Sequence, residues 1–358
     1  MSRIVIIGGG IAGLSAAARL APLGQVTVLE AEPALATHAS GRSAAAFIED
    51  YGNATVRALN RASLRHLSDH AGGVLSRRGV LLVARADQAD SFASDRIDMG
   101  MDDISVPEAC DMVPILNRDT VAHAAYRADV MDLDTDLLIQ NFTRDARASG
   151  ARIVTGVRVD AIARANAGWT VRWKDGVADA DIVVNAAGAW ADHVARMAGI
   201  APLGLQPYRR SMAQLPAPEG HDVTAWPLFE GVDSAWYAKP GAGKLTVSPA
   251  EEDPMDAHDA FTDDMVVAEG LARYSEMVTT PVTRVETTWA GLRTFAPDRA
   301  LVIGPDATMP SFFWCAAQGG YGFQTAPAAS QLLGDLVAGR APELPGDVVT
   351  ALSPARFG

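Results

Sequence analysis

An apolar run meets a glycine triplet and then an alanine-rich segment in IVIIGGGIAGLSAAARL, Ile4 to Leu20, and this order dictates a buried strand, a tight turn and a helix. Gly8, Gly10 and Gly13 form G-x-G-x-x-G. Gly8 permits the turn, Gly10 lets backbone approach a pyrophosphate, and Gly13 lets helix and strand pack closely. The helix amino terminus then directs unpaired N–H groups at the anion. A second strand is predicted over Val26 to Leu29, and Glu30 follows it, placed to take both ribose hydroxyls of an adenosine. A carboxylate there repels a 2′-phosphate, which argues against NADP. NAD and FAD both satisfy the unit.

The chain has 358 residues, more than one ordinary core organises, so two domains are expected. A net charge of −13 opposes binding to phosphate backbones, and no nucleic-acid partner is expected. Cys110 and Cys315 are the two cysteines, and their spacing suggests neither a disulfide framework nor a metal. Both are read as buried thiols in a reducing compartment. The first strand leaves no room for a secretion signal, and no apolar run reaches bilayer length, so a cytoplasmic protein without a transmembrane segment is expected.

Further along, AEPALATHASGRSAAA reads as a loop running into a short helix, and Asn53 to His70 as an amphipathic helix ended by Gly72-Gly73. Leu81 to Ala84 is a predicted strand, followed by an acidic segment of exposed helix and loop. Asp132, Asp134 and Asp136 alternate like a calcium loop, but Leu137 and Thr143 stand where such a loop needs glycine and glutamate. One of Asp134, Thr135 and Asp136 is instead expected to cap a helix ending near Gly150. Strands over Arg152 to Val159, Thr170 to Trp173 and Asp181 to Asn185 are expected to resume the nucleotide-binding sheet. From Pro202 to Thr288, aromatic residues and short apolar runs broken by Pro and Gly predict an antiparallel substrate-binding sheet. His66 and His70, four apart, are read as a solvated helix face and no metal site is expected.

Gly319, Gly320 and Gly322 form a second glycine turn between SFFWCAAQ, a predicted strand, and APAASQLLGDLVAG, a predicted helix closed by Gly339. Its amides and helix dipole converge on a negative group, such as the pyrimidine end of a reduced flavin. With this turn, the segments IGGGIAGLSAAARL, ASGRSAAA, VVNAAGAWAD, WAGLRTFAPD and AAQGGYGFQT stand in an order that resembles the FAD-dependent D-amino acid oxidase superfamily. Within it the chain looks most like D-amino acid dehydrogenases of the D-arginine dehydrogenase type. The resemblance implies an α/β fold: a Rossmann-like FAD domain with a parallel central sheet, and an α+β substrate domain on a mainly antiparallel sheet. The expected division is 1–80, 141–200 and 289–358 for FAD, with 81–140 and 201–288 for substrate.

By the same resemblance, Gly8, Gly10, Ile11, Ala12 and Gly13 cover the pyrophosphate, and Glu30 and Ala31 hold the adenosine end. Ala39, Ser40, Gly41, Arg42, Ser43, Ala44, Ala45 and Ala46 line pyrophosphate and flavin, while Val159 meets adenine through its backbone. Ala187, Gly188 and Trp190 match a second cofactor motif, and Gly319, Gly320, Tyr321, Gly322, Phe323 and Gln324 the loop at the flavin pyrimidine. The implied reaction takes a hydride from the α-carbon of a D-amino acid, leaving an imine that water converts to a keto acid and ammonia. Arg293 resembles the arginine that holds the substrate carboxylate, which suits its planar fork. Tyr237 resembles the tyrosine that assists it, Arg210 and Tyr51 match further site positions, and the Gly320 carbonyl would face the amine.

Two positions depart from the pattern. Ala46 replaces a histidine, and Gly79 replaces the glutamate that pairs with a basic side chain, so neutral or apolar substrates are expected over basic ones. A dicarboxylic substrate stays open if Arg77, Arg78 and Arg210 lie together. So do a glycine or sarcosine type of amine, a 2-hydroxy acid, and a flavin-binding protein without catalysis. Oxygen and a quinone both remain candidate electron acceptors, and no covalent flavin attachment is signalled, since no cysteine or histidine sits in the cofactor motifs except His38, just before ASGRS.

Overall fold

The computed structural model describes residues 1–165 and 168–358. Its central sheet runs in the order Val302–Pro305, Phe312–Ala316, Ile182–Asn185, Ser2–Ile7, Gly24–Leu29 and Arg152–Val154. All neighbours are parallel except the first pair. Both faces are covered, which is why Ile4 to Ile7 is uninterruptedly apolar. Ile4 and Ile6 pack beneath helices Ile11–Leu20 and Gly322–Ala338, and Val5 and Ile7 join Trp169 and Val171 on the opposite side.

Those two residues belong to a separate antiparallel sheet, Val159–Ala165, Gly168–Trp173 and Gly176–Ala180. Thr170 to Trp173 and Val159 therefore cover the nucleotide-binding sheet and are not part of it, contrary to the sequence expectation. Register explains the difference: no pattern in an amphipathic strand says which sheet it joins.

The second large sheet follows the order Asp253–Pro254, Gln206–Pro216, Lys244–Ser248, Tyr237–Gly241, Leu228–Gly231, Val80–Ala84, His123–Arg127 and Asp102–Ile104. Thr287–Phe295 pairs along the length of Gln206–Pro216. The pairings are antiparallel except Leu228–Gly231 with Val80–Ala84. One face packs Trp226, Phe229, Trp236 and Tyr274 into an aromatic core. The other carries Val80, Leu82, Leu228 and Tyr237 against Ala46 and Ile48.

Local chemistry sets the helix ends. Asn53 caps Ala54–Asp69 by accepting from the Val56 amide at 3.0 Å, and Asp134 caps Thr135–Ala148 through the Leu137 amide at 2.8 Å. The stretch after Pro33 contains turns and the short strand Ala46–Phe47, but no helix. His66 and His70 do not form a solvated face: their rings stack at 4.4 Å, His66 also lies on Phe142, and His70 bonds Asp145 at 2.6 Å. Cys110 and Cys315 are buried. Among the described residues, no helix is long and apolar enough to cross a membrane.

Candidate functional site

A cavity of about 490 Å³ opens at the carboxyl ends of Ser2–Ile7 and Gly24–Leu29. Gly8 has φ of 110°, a conformation closed to most residues, and a Cβ there would strike the Ala186 carbonyl. Gly13 abuts the Gly8 carbonyl so closely that no Cβ fits. Glu30 sits at the cavity wall, accepting from the Gly9 amide at 2.5 Å and the Glu32 amide at 2.8 Å. Ala31, Val159, Ala187, Gly188 and Trp190 line the same space. Sequence reasoning missed Glu32, Arg158, His193 and His258, which line it too. Glu32, Arg158 and His193 each adjoin a residue the motifs did name, Ala31, Val159 and the VVNAAGAWAD segment, so their neighbourhood could have flagged them.

The Ile11 amide donates to Ser40 Oγ at 3.0 Å, fixing the ASGRS segment over the helix terminus. Arg42 ties this segment to the second sheet, donating to the Ala260 and Ala290 carbonyls at 2.9 Å and pairing with Asp259 at 2.6 Å. Gly41 closes the turn through Ala36, and lines neither this cavity nor the next.

A second cavity, about 130 Å³, continues from the first past Gly10, Ala39, Ser40, Arg42 and Gly291. Ile11, Ala12, Ser43, Ala44, Ala45 and Ala46 form one wall. Gly319, Gly320, Gly322, Phe323 and Gln324 form another, with Arg210, Met212 and Arg293 from the large sheet. Gln324 accepts from the Ile48 amide at 3.3 Å, while its buried Nε2 has no partner. Tyr321 turns away, packing edge-on against Phe295 and Tyr51.

Arg293 lies against the second glycine turn, where a Cβ on Gly320 would stand 3.2 Å from its Nη1. Among the described residues the Arg293 guanidinium has no hydrogen bond or ion pair to protein. Arg210 is buried and held by the Glu251 carbonyl at 2.9 Å and the Glu252 carboxylate at 3.3 Å. Burial, and after it the charge of Arg293, pushes the Arg210 guanidinium below its ordinary range. Tyr237 and Tyr51 lie close enough to offset part of this. The Tyr237 hydroxyl meets Met212 Sδ at 3.5 Å, and Tyr51 is 43% exposed. Both arginines line the second cavity, and the two tyrosines stand near Arg210 without lining it.

Two expectations lose their basis here. Gly79 lines neither cavity, and a Cβ on it would collide with the ring of Tyr126, so position 79 says nothing about a substrate side chain. Arg78 is a structural tie: its Nε donates to Asp132 at 2.7 Å, and its Nη1 donates to the Thr224 and Trp226 carbonyls. Arg77 and Arg78 are absent from the cavity walls and do not join Arg210 there.

The two connected cavities suit FAD. A glycine cradle with no room for side chains leads to a helix terminus whose Ala12 amide, among the described residues, has no protein acceptor. A buried carboxylate stands at the adenosine end, and an unpartnered amide of Gln324 at the flavin end.

The family model described as DAO, FAD dependent oxidoreductase, matches residues 3–336. "FAD-dependent oxidoreductase domain-containing protein 1" of Bos taurus is 28% identical over 44% of this chain and 35% of its own length. Human mitochondrial dimethylglycine dehydrogenase is 24% identical over 99% of this chain and 44% of that protein. The chain thus spans less than half the length of these curated relatives. Among solved structures, L-proline dehydrogenase from P. horikoshii shares the fold with a TM-score of 0.83 at 23% identity, covering 99% of this chain and 97% of that one. Glycine oxidase from Geobacillus kaustophilus also gives 0.83, at 20% identity and 99% coverage of both chains. With the match running nearly end to end and a cradle shaped for the dinucleotide, the chain belongs to the DAO family of FAD-dependent oxidoreductases, and its cofactor is FAD.

Proposed function

We propose that this oxidoreductase deaminates an α-amino acid of D configuration, releasing a 2-keto acid and ammonia once the imine is hydrolysed. The supporting observation is Arg293: a guanidinium facing the cavity with no protein partner calls for an anion, and a carboxylate matches its fork. Bound FAD supplies the two-electron acceptor, taking a hydride from the α-carbon. In this reading Gly8 to Gly13, Glu30, Ser40 and Trp190 hold the dinucleotide. Arg293 grips the substrate carboxylate, Arg210 adds a second charge, and Tyr237 adds a hydroxyl. The Gly320 carbonyl accepts from the amine and so turns the α C–H toward the reacting face. No side-chain base is required, because orientation and a deprotonated amine suffice.

The D configuration rests on the resemblance carried by the ordered motifs. A glycine or sarcosine type of amine is the second reading, favoured by the similarity to dimethylglycine dehydrogenase over 99% of this chain and 44% of that protein. Anaerobic titration of the yellow protein with D- and L-amino acids, glycine, sarcosine and 2-hydroxy acids separates them. Bleaching by D-amino acids supports the first reading, and bleaching only by glycine or sarcosine replaces it with the second. Failure of every compound against fully loaded protein leaves a binding role. Mixing the reduced protein with oxygen and with a quinone then identifies the acceptor.

A further inference from the structure

The wall of the second cavity carries three arginines and, among the described residues, no aspartate or glutamate. Arg42 is paired with Asp259 at 2.6 Å, and Arg210 with Glu252 at 3.3 Å, both acids standing outside that wall. Arg293, among the described residues, has no acidic partner. The pairing leaves one uncompensated cation facing the substrate.

Register puts Arg210 and Arg293 side by side. Tyr208 stands opposite Arg293 and Arg210 opposite Gly291, so Arg210 holds the diagonal position on the same face, about 7–8 Å from Arg293. Two free guanidinia at that separation would favour a short diacid over a monocarboxylate.

Arg210, however, is not free. Its Nε donates to the Glu251 carbonyl at 2.9 Å and its Nη2 to Glu252 Oε1 at 3.3 Å, so two of its three nitrogens are committed to protein. Glu252 offsets part of the penalty that burial, and then the charge of Arg293, impose on this guanidinium. From its far side Glu252 is fixed by Arg299, whose Nη2 donates to Oε1 and Oε2 at 3.1 and 3.0 Å. Arg299 has φ of 59°, a left-handed conformation unfavourable for a residue with a side chain, and its guanidinium lies 3.8 Å over the ring of Phe295. Strain of this kind persists where surrounding contacts hold it. The Arg299 side chain is 44% exposed and screened by water, whereas that of Arg210 is 10% exposed, so removal of the Glu252 charge would be felt mainly at Arg210.

We propose that Glu252 is a positioning residue that sets the charge of the substrate: by holding Arg210 from outside the cavity it leaves the pocket one carboxylate to bind, so amino acids with an acidic side chain are refused. The inference rests on the amino-acid reading above and adds a substrate class to it.

The test uses FAD-loaded protein and two four-carbon acids without an amine, butyrate and succinate, followed by perturbation of the flavin spectrum. Wild type should bind succinate no more tightly than butyrate. Glu252→Gln keeps an acceptor for Arg210 without the charge, and should tighten succinate about 10-fold relative to butyrate. Arg299→Gln removes the other half of the tie and leaves the Glu252 charge on Arg210, so it should not raise that ratio. In turnover, kcat/KM for aspartate against 2-aminobutyrate should rise by a similar factor in Glu252→Gln. Tighter binding of succinate by wild type, an unmoved ratio in Glu252→Gln, or an equal rise in both variants, which a merely structural tie would produce, overturns the proposal. If 2-aminobutyrate reduces the flavin and the ratio stays unmoved, this inference fails alone. If neither enantiomer of 2-aminobutyrate or aspartate reduces the flavin of wild type or variant, the amino-acid reading fails and takes this inference with it.

Discussion

Replacing Gly13 by alanine tests the cofactor cradle at its tightest point. The new Cβ would sit far inside contact distance of the Gly8 carbonyl oxygen and 3.0 Å from the carbonyl carbon. Neither atom can yield, because Gly8 donates its amide to Leu29 at 2.9 Å and its strand is paired on both sides. Helix Ile11–Leu20 must therefore withdraw from Ser2–Ile7, opening a core that includes Ile4, Ile6, Ala16 and Ala17. Overpacking of this kind costs about 1–3 kcal/mol. A helix terminus moved off its anion forfeits up to about 2 kcal/mol more. Together these predict an apoprotein melting several degrees lower and FAD affinity reduced up to about 30-fold. Fluorescence quenching of added FAD, read beside the melting temperature of the apoprotein, separates the two effects. Gly346→Ala, at the first position of a helix where a Cβ meets nothing within 4 Å, is the matched control and should change neither. FAD affinity within about threefold of wild type in Gly13→Ala would refute the cradle argument.

The other expectations follow from single groups. Arg293→Met should lower kcat/KM by about 10²- to 10³-fold with a raised KM, and Arg293→Lys should recover only part, since an ammonium lacks the fork. Unchanged kinetics would remove the carboxylate grip from the mechanism. Cys315, whose thiol burial pushes up to about 12, should resist iodoacetamide at pH 8 until the protein unfolds; rapid native labelling, followed by mass spectrometry, would contradict its burial. His66 is pushed down to about 4 by burial first, then by Arg19 and His70. Its unfolded form gains a proton near 6.5, so stability should decline as pH falls from 6.5 to 4. In denaturant titrations across that window, His66→Phe should flatten the decline.

Sequence reached furthest where function forces local geometry. Gly8, Gly13 and Gly319 sit where only glycine relieves a clash or a left-handed turn, so the two glycine turns could be read from spacing alone. Asp134 announced a helix by the same local logic. The limits appear wherever pairing partners are distant. Trp169 and Val171 alternate as in any half-buried strand, and only the register with Val159–Ala165 and Gly176–Ala180 shows that they roof the nucleotide sheet. Gly79 misled for a related reason. Its motif context matched a substrate-facing position, but the ring that fills its space comes from Tyr126 on the neighbouring strand.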